Sequence, residues 1–145
     1  MPVSVIWWLL LAAISLFICY QDITKRTISN RVVFFVMSVC GILYFQHGVF
    51  ESVFVTVGIL FVGFVLFNLN IIAAGDVKLL SAFSLAITPQ YLPLTLFIIT
   101  LLGSLLGVAC YLYAKCTNYN KIMGNGVPYG VPICLGCLFG IAASL

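Results

Sequence analysis

Charge is nearly absent from this chain, and that restricts its fold more than any other feature. Six Lys or Arg and three Asp or Glu are set among 145 residues that are 64% hydrophobic. A soluble domain carries roughly 25% charged residues. No soluble fold covers this much apolar surface, and the mean hydropathy of +1.28 agrees. The chain reads as an integral membrane protein. Its apolar runs are continuous rather than alternating, which selects helices over a β-barrel. Residues 1–145 suffice for one compact bundle, so a single domain is expected, with no separate soluble unit. The net charge of +3 is a matter of membrane topology and gives no argument for a nucleic-acid partner.

Six apolar segments are expected, over about 3–20, 32–46, 52–72, 76–88, 92–114 and 128–145. The second and fourth are short for a bilayer that takes about 20 helical residues. No Lys or Arg precedes the first segment and no small-x-small site follows it, so it is expected to stay as a span. All six basic residues, Lys25, Arg26, Arg31, Lys78, Lys115 and Lys121, fall in or beside the connectors after segments one, three and five. The positive-inside rule assigns those connectors to the cytoplasm, with both termini outside. The expected fold is an all-α polytopic bundle of about six transmembrane helices in a cytoplasmic membrane. The connector 115–127, rich in Asn and Gly, is expected to be mobile.

The six cysteines lie mostly within apolar runs. Cys134 and Cys137 form a C-x-x-C without a second pair, whereas zinc takes about four ligands. They read as buried packing residues, and no metal or cofactor is expected. His47 has no ligand partners in view and reads as a loop residue. Trp7 and Trp8 read as lipid-facing or interfacial anchors. Pro128 suits a helix start, while Pro132 is expected to kink the last helix. Gly103-x-x-x-Gly107 and Gly136-x-x-x-Gly140 allow close helix approach within the bundle.

Acids at a membrane edge are costly to keep and point to function. The topology puts Asp22 and Asp76 at the same face, and Glu51 at the other. Each aspartate alone has an ordinary explanation: Asp22 as a solvated loop residue beside Lys25 and Arg26, Asp76 as a helix cap after Gly75. Together they make a chemical pair. Two carboxylates a few ångströms apart do not both ionise easily, so they hold one proton between them. The ionised member draws a proton from water and the protonated member donates to a scissile carbonyl, which is what peptide hydrolysis needs.

The residues around these acids carry a pattern. The first block runs Tyr20-Gln21-Asp22-Ile23-Thr24-Lys25-Arg26-Thr27-Ile28-Ser29-Asn30. The second runs Ala73-Ala74-Gly75-Asp76-Val77-Lys78-Leu79-Leu80. The last segment opens Val127-Pro128-Tyr129-Gly130-Val131-Pro132. In this order the three blocks resemble the type IV prepilin peptidase family, membrane aspartyl proteases of the GxGD class. Length and the lack of a soluble domain look most like the small Tad/Flp-type (CpaA-like) members. The resemblance implies peptidase activity without methyltransferase activity. It implies Asp22 and Asp76 as the catalytic pair, Ala73, Gly75 and Lys78 as supporting residues, and Pro128, Tyr129 and Gly130 as candidates for a substrate cleft. Ala73 stands where the family motif has its first Gly, giving up that residue's freedom to take positive φ, and Ser29 stands where the family often has Pro. Lys78 has two readings, as support for the aspartates or as a side chain snorkelling to the interface.

The function implied is removal of the leader from type IV-like prepilins or pseudopilins at the cytoplasmic face. Membrane lipid surrounds the bundle, and the sequence leaves the oligomeric state open. The alternative is a non-catalytic membrane protein, a small transporter or a pilus or secretion assembly scaffold. A transporter would place its carboxylates near mid-membrane at a repeat interface, and no repeat is visible. A presenilin-like protease shares the Gly-Asp chemistry but fits the final Pro-Tyr-Gly block less well.

Overall fold

The computed structural model describes residues 3–47, 49–117 and 127–145. Most of the connector expected to be mobile, with Lys121, lies outside the described residues. The described chain is helical throughout: α1 Val3–Lys25, α2 Asn30–His47, α3 Glu51–Asn68, α4 Ala74–Ser84, α5 Leu92–Thr117 and α6 Gly130–Ser144, with a single 3₁₀ turn at Pro89–Tyr91 before α5.

Side-chain contacts fix the helix directions. Trp8 Nε1 donates to the Leu138 carbonyl at 3.0 Å, and Asp22 meets Gly130, so α1 and α6 run antiparallel. Thr56 Oγ1 and Ser84 Oγ lie 3.1 Å apart, Ser52 Oγ donates to the Ile87 carbonyl at 3.3 Å, and Gly63 faces Val77, so α3 and α4 are antiparallel. Lys78 Nζ reaches Asn30 Oδ1 near the starts of α4 and α2, which are parallel. The end of α1, the starts of α2, α4 and α6 and the end of α3 therefore share one end of the bundle. Glu51 begins α3, roughly 27 Å away along that helix at 1.5 Å per residue.

Helices α4 and α6 form the interior. Helix α4 packs on α2, α3 and α6, and α6 packs on α1, α4 and α5. Their buried side chains include Leu79, Phe83, Ile133, Cys134, Cys137 and Ile141. The outer helices α1, α3 and α5 are apolar and carry many exposed large side chains, such as Leu16, Phe61 and Leu105. An outward apolar surface of this kind is stable against lipid rather than water.

Several elements differ from their sequence-based bounds, each for a physical reason. Helix α1 continues through the polar residues to Lys25, because an amphipathic last turn keeps the hydrogen-bond ladder intact. It stops at Arg26, whose φ of 53° is left-handed, with the Arg26 N–H closing on the Asp22 carbonyl at 3.0 Å. Three helices, α1, α3 and Pro89–Tyr113, are long and apolar enough to cross a membrane. Helix α4 has only 11 residues, about 16 Å against a hydrocarbon core near 30 Å. Its C-terminal end, residues 85–87, meets protein, where non-helical backbone is tolerated, while residues 69–73 before it are exposed at the end of the bundle that carries the basic residues. Pro132 does not kink α6: it sits in the first turn, where no intrahelical N–H bond is required. Trp7 and Trp8 pack against the core instead of facing lipid alone.

The glycines of the last two helices separate by role. A Cβ at Gly140 would run into Thr95 Oγ1 and one at Gly136 into Ile99, so these positions set the α5–α6 spacing. A Cβ at Gly107 would meet nothing within 4 Å. Gly140→Ala is expected to cost about 1–3 kcal/mol of stability and Gly107→Ala to be neutral. The check is the thermal unfolding midpoint of each variant in detergent.

Candidate active site

Asp22 lies in the last turn of α1 and is only 6% exposed. Its Oδ2 accepts the backbone N–H of Gly130 at 2.8 Å. Gly130 opens α6, so its N–H is one of the donors a helix start leaves without an intrahelical partner. Asp22 thus caps α6 from another helix, with its carboxylate on the positive end of the helix dipole. The approach is close because residue 130 has no side chain: a Cβ there would lie 2.7 Å from Oδ2 and 3.0 Å from the carboxyl carbon.

Asp76 lies in the first turn of α4 and is half-buried. Its backbone N–H bonds the Ala73 carbonyl at 3.1 Å, which starts the helix. The charge of Asp22 acts on Asp76, and that of Arg26 acts on Asp22. The two carboxylates, far apart in sequence, therefore form one electrostatic cluster at the common end of α1, α4 and α6. Glu51 has no part in it.

The supporting residues divide. Ala73 is the N-cap of α4 with φ −73° and ψ 144°, an extended conformation open to any residue. The position does not call on glycine's freedom at positive φ. Ala73→Gly is expected to leave activity within about twofold, since a cap position tolerates Gly at a few tenths of a kcal/mol. Steady-state cleavage rates check this. Gly75 is half-buried in the first turn, and a Cβ there would touch Ile28 at an ordinary 3.6 Å. Lys78 is exposed, and its Nζ donates to Asn30 Oδ1 at 3.3 Å, tying α4 to the start of α2. The bond goes to neither aspartate, so both readings of Lys78 stand.

The Pro-Tyr-Gly block does not act as a unit. Pro128 is buried, while Tyr129 is exposed and its ring packs over Gly103 of α5, whose added Cβ would meet it at 2.8 Å. Gly130 serves Asp22. Sequence reasoning placed Gly130 in a cleft and missed its hydrogen bond, because a backbone N–H leaves no mark in a sequence. The signal available was a glycine opening an apolar helix, with no mark of which acid it meets. Among the described residues no group of three or more His, Cys, Asp or Glu is placed to hold a metal. Cys40, Cys134 and Cys137 are buried in the core.

Residues 9–108 match the model of the type IV leader peptidase family. The chain belongs to that family. The match runs from within α1 into α5 and takes in both aspartates. That family is one of membrane-associated peptidases, which agrees with the apolar outer helices. No curated protein and no solved structure matches the chain.

Proposed function

We propose that this protein is an aspartyl endopeptidase that removes the leader of type IV-like prepilins or pseudopilins. The observation that carries the reading is the cluster itself: Asp22, held by the Gly130 N–H, within the electrostatic reach of Asp76. Its basic connectors assign the Asp22–Asp76 end to the cytoplasmic face, with both termini outside, in a multi-pass bundle forming one domain. The substrate's hydrophobic segment lies in the bilayer, and its leader reaches the aspartates from the cytoplasmic side.

The chemistry follows from the differing surroundings of the two acids. Asp22 accepts the Gly130 N–H at 2.8 Å, a bond that favours its charged form. Asp22 is therefore the base that takes a proton from the attacking water. Asp76, half-buried and facing the Asp22 charge, holds the shared proton and donates it to the carbonyl oxygen of the scissile peptide. As the tetrahedral intermediate collapses, Asp22 gives its proton to the leaving amine and a hydroxyl of the intermediate returns one to Asp76, so the pair again holds one. The starts of α4 and α6 both direct their N–H groups toward this end, which favours the developing negative charge. Water attacks directly, so no covalent enzyme intermediate forms.

The test is co-expression with a candidate prepilin, read by gel mobility and N-terminal sequencing of the product. Leader loss at one site, with oxygen from labelled water entering the new carboxylate of the leader, is the expected result. A pilin that stays full length in a membrane holding the folded protein sinks the reading.

A further inference from the structure

A groove of about 520 Å³ opens between α1 and α2, on a different side of α1 from Asp22. Leu10, Ala13, Ile14 and Phe17 line it from α1, and Phe35 from α2, with Arg31 at one end. The spacing of the α1 residues puts them on one stripe, while Leu11, Ser15, Ile18 and Asp22 form the stripe buried in the bundle. The volume falls within the roughly 300–1,000 Å³ of ligand-sized clefts, and Ala13 is the small residue that makes room in its wall. Leu10, Phe17 and Phe35 remain exposed, so the groove opens to the surrounding apolar medium.

Arg31 sets the identity of the occupant. It is the second residue of α2, at the end of the bundle that carries the basic residues, where a bilayer places its phosphates. Guanidinium matches phosphate as a fork of donors. We propose that this groove binds an anionic diacyl phospholipid, with one acyl chain along the Leu10–Phe17 stripe and the phosphate on Arg31. Phosphatidylglycerol, whose headgroup leaves the phosphate charge unneutralised, is the probe. A substrate helix is the lesser fit, because an apolar segment brings no anion to Arg31. The site also adjoins the active end: Asn30, next to Arg31, accepts the hydrogen bond from Lys78.

The experiment is native mass spectrometry of the full chain, reconstituted with equal amounts of phosphatidylglycerol and phosphatidylcholine. The wild-type protein is expected to retain phosphatidylglycerol by about fivefold over phosphatidylcholine, the effect of one basic residue at a charged lipid surface. Arg31→Gln removes the preference. Ala13→Leu fills the groove and lowers retention of both lipids, with helical circular dichroism unchanged. Free glycerol phosphate displaces nothing, because the acyl chain holds the lipid. The proposal is overturned by equal retention in the wild type, by a preference that survives Arg31→Gln, or by undiminished retention in Ala13→Leu. Displacement by glycerol phosphate alone overturns it as well. One-for-one displacement by a prepilin segment assigns the groove to substrate and also overturns it. Since no arm reads peptide cleavage, the outcome is independent of the proposed protease activity.

Discussion

Asp22→Asn and Asp76→Asn are each expected to stop leader removal, by up to about 10⁴-fold, the upper range for a positioned general acid or base. Asparagine keeps the shape of the side chain, and its carbonyl oxygen still accepts from the Gly130 N–H, so α6 stays capped in Asp22→Asn. What is lost is the carboxylate that takes a proton from water. In Asp76→Asn the acid that protonates the carbonyl is lost instead. Both variants should accumulate in the membrane at wild-type levels, read by immunoblot beside the mobility of the pilin. Asp22→Ala gives the contrast: it removes the cap as well and is expected to lose about 1 kcal/mol of stability on top of the activity. Full cleavage by well-accumulated Asp22→Asn would reduce Asp22 to a structural cap and end the two-carboxylate mechanism.

The second large effect falls on a residue with no functional group. Gly130→Ala places a methyl group where the Asp22 carboxylate now sits, 2.7 Å from Oδ2. Either Asp22 rotates away and the N–H bond breaks, or the start of α6 is pushed out. A misplacement near 1 Å costs about 10²-fold in a reaction that depends on near-attack geometry. The loss is expected in kcat more than in KM, because the substrate's hydrophobic segment is held elsewhere along the bundle. Gly103→Ala is a useful companion, since the ring of Tyr129 can swing aside without moving Asp22. Wild-type kcat in Gly130→Ala would show that the hydrogen bond has no bearing on catalysis.

The parts of the structure that the sequence made legible were those written in side-chain polarity. Continuous apolar runs specified helices, and the one-sided placement of Lys25, Arg26, Arg31 and Lys78 foretold that the ends of α1 and α3 and the starts of α2 and α4 share one end. That same placement puts Asp22 and Asp76 at one end of the bundle. Features set by backbone geometry were hidden. The polar residues Gln21–Lys25 read as a connector, yet they continue α1, since polar side chains at a helix end cost nothing where water is near. The shortness of α4 was masked because apolar residues 85–88 extend the run without extending the helix. Ala73 looked like a departure that would limit its loop, but its extended φ makes the missing glycine immaterial.

The contact between Asp22 and Gly130 joins residues 108 positions apart, and this has a consequence for biosynthesis. A chain is made from its N-terminus, so α1 enters the membrane long before α6 is translated. Until the last helix docks, Asp22 lacks its N–H partner and α6 offers no dipole to the site. On the proposed mechanism, the growing polypeptide therefore carries both acids before their site is complete, and the site is completed in one late step, when α6 docks.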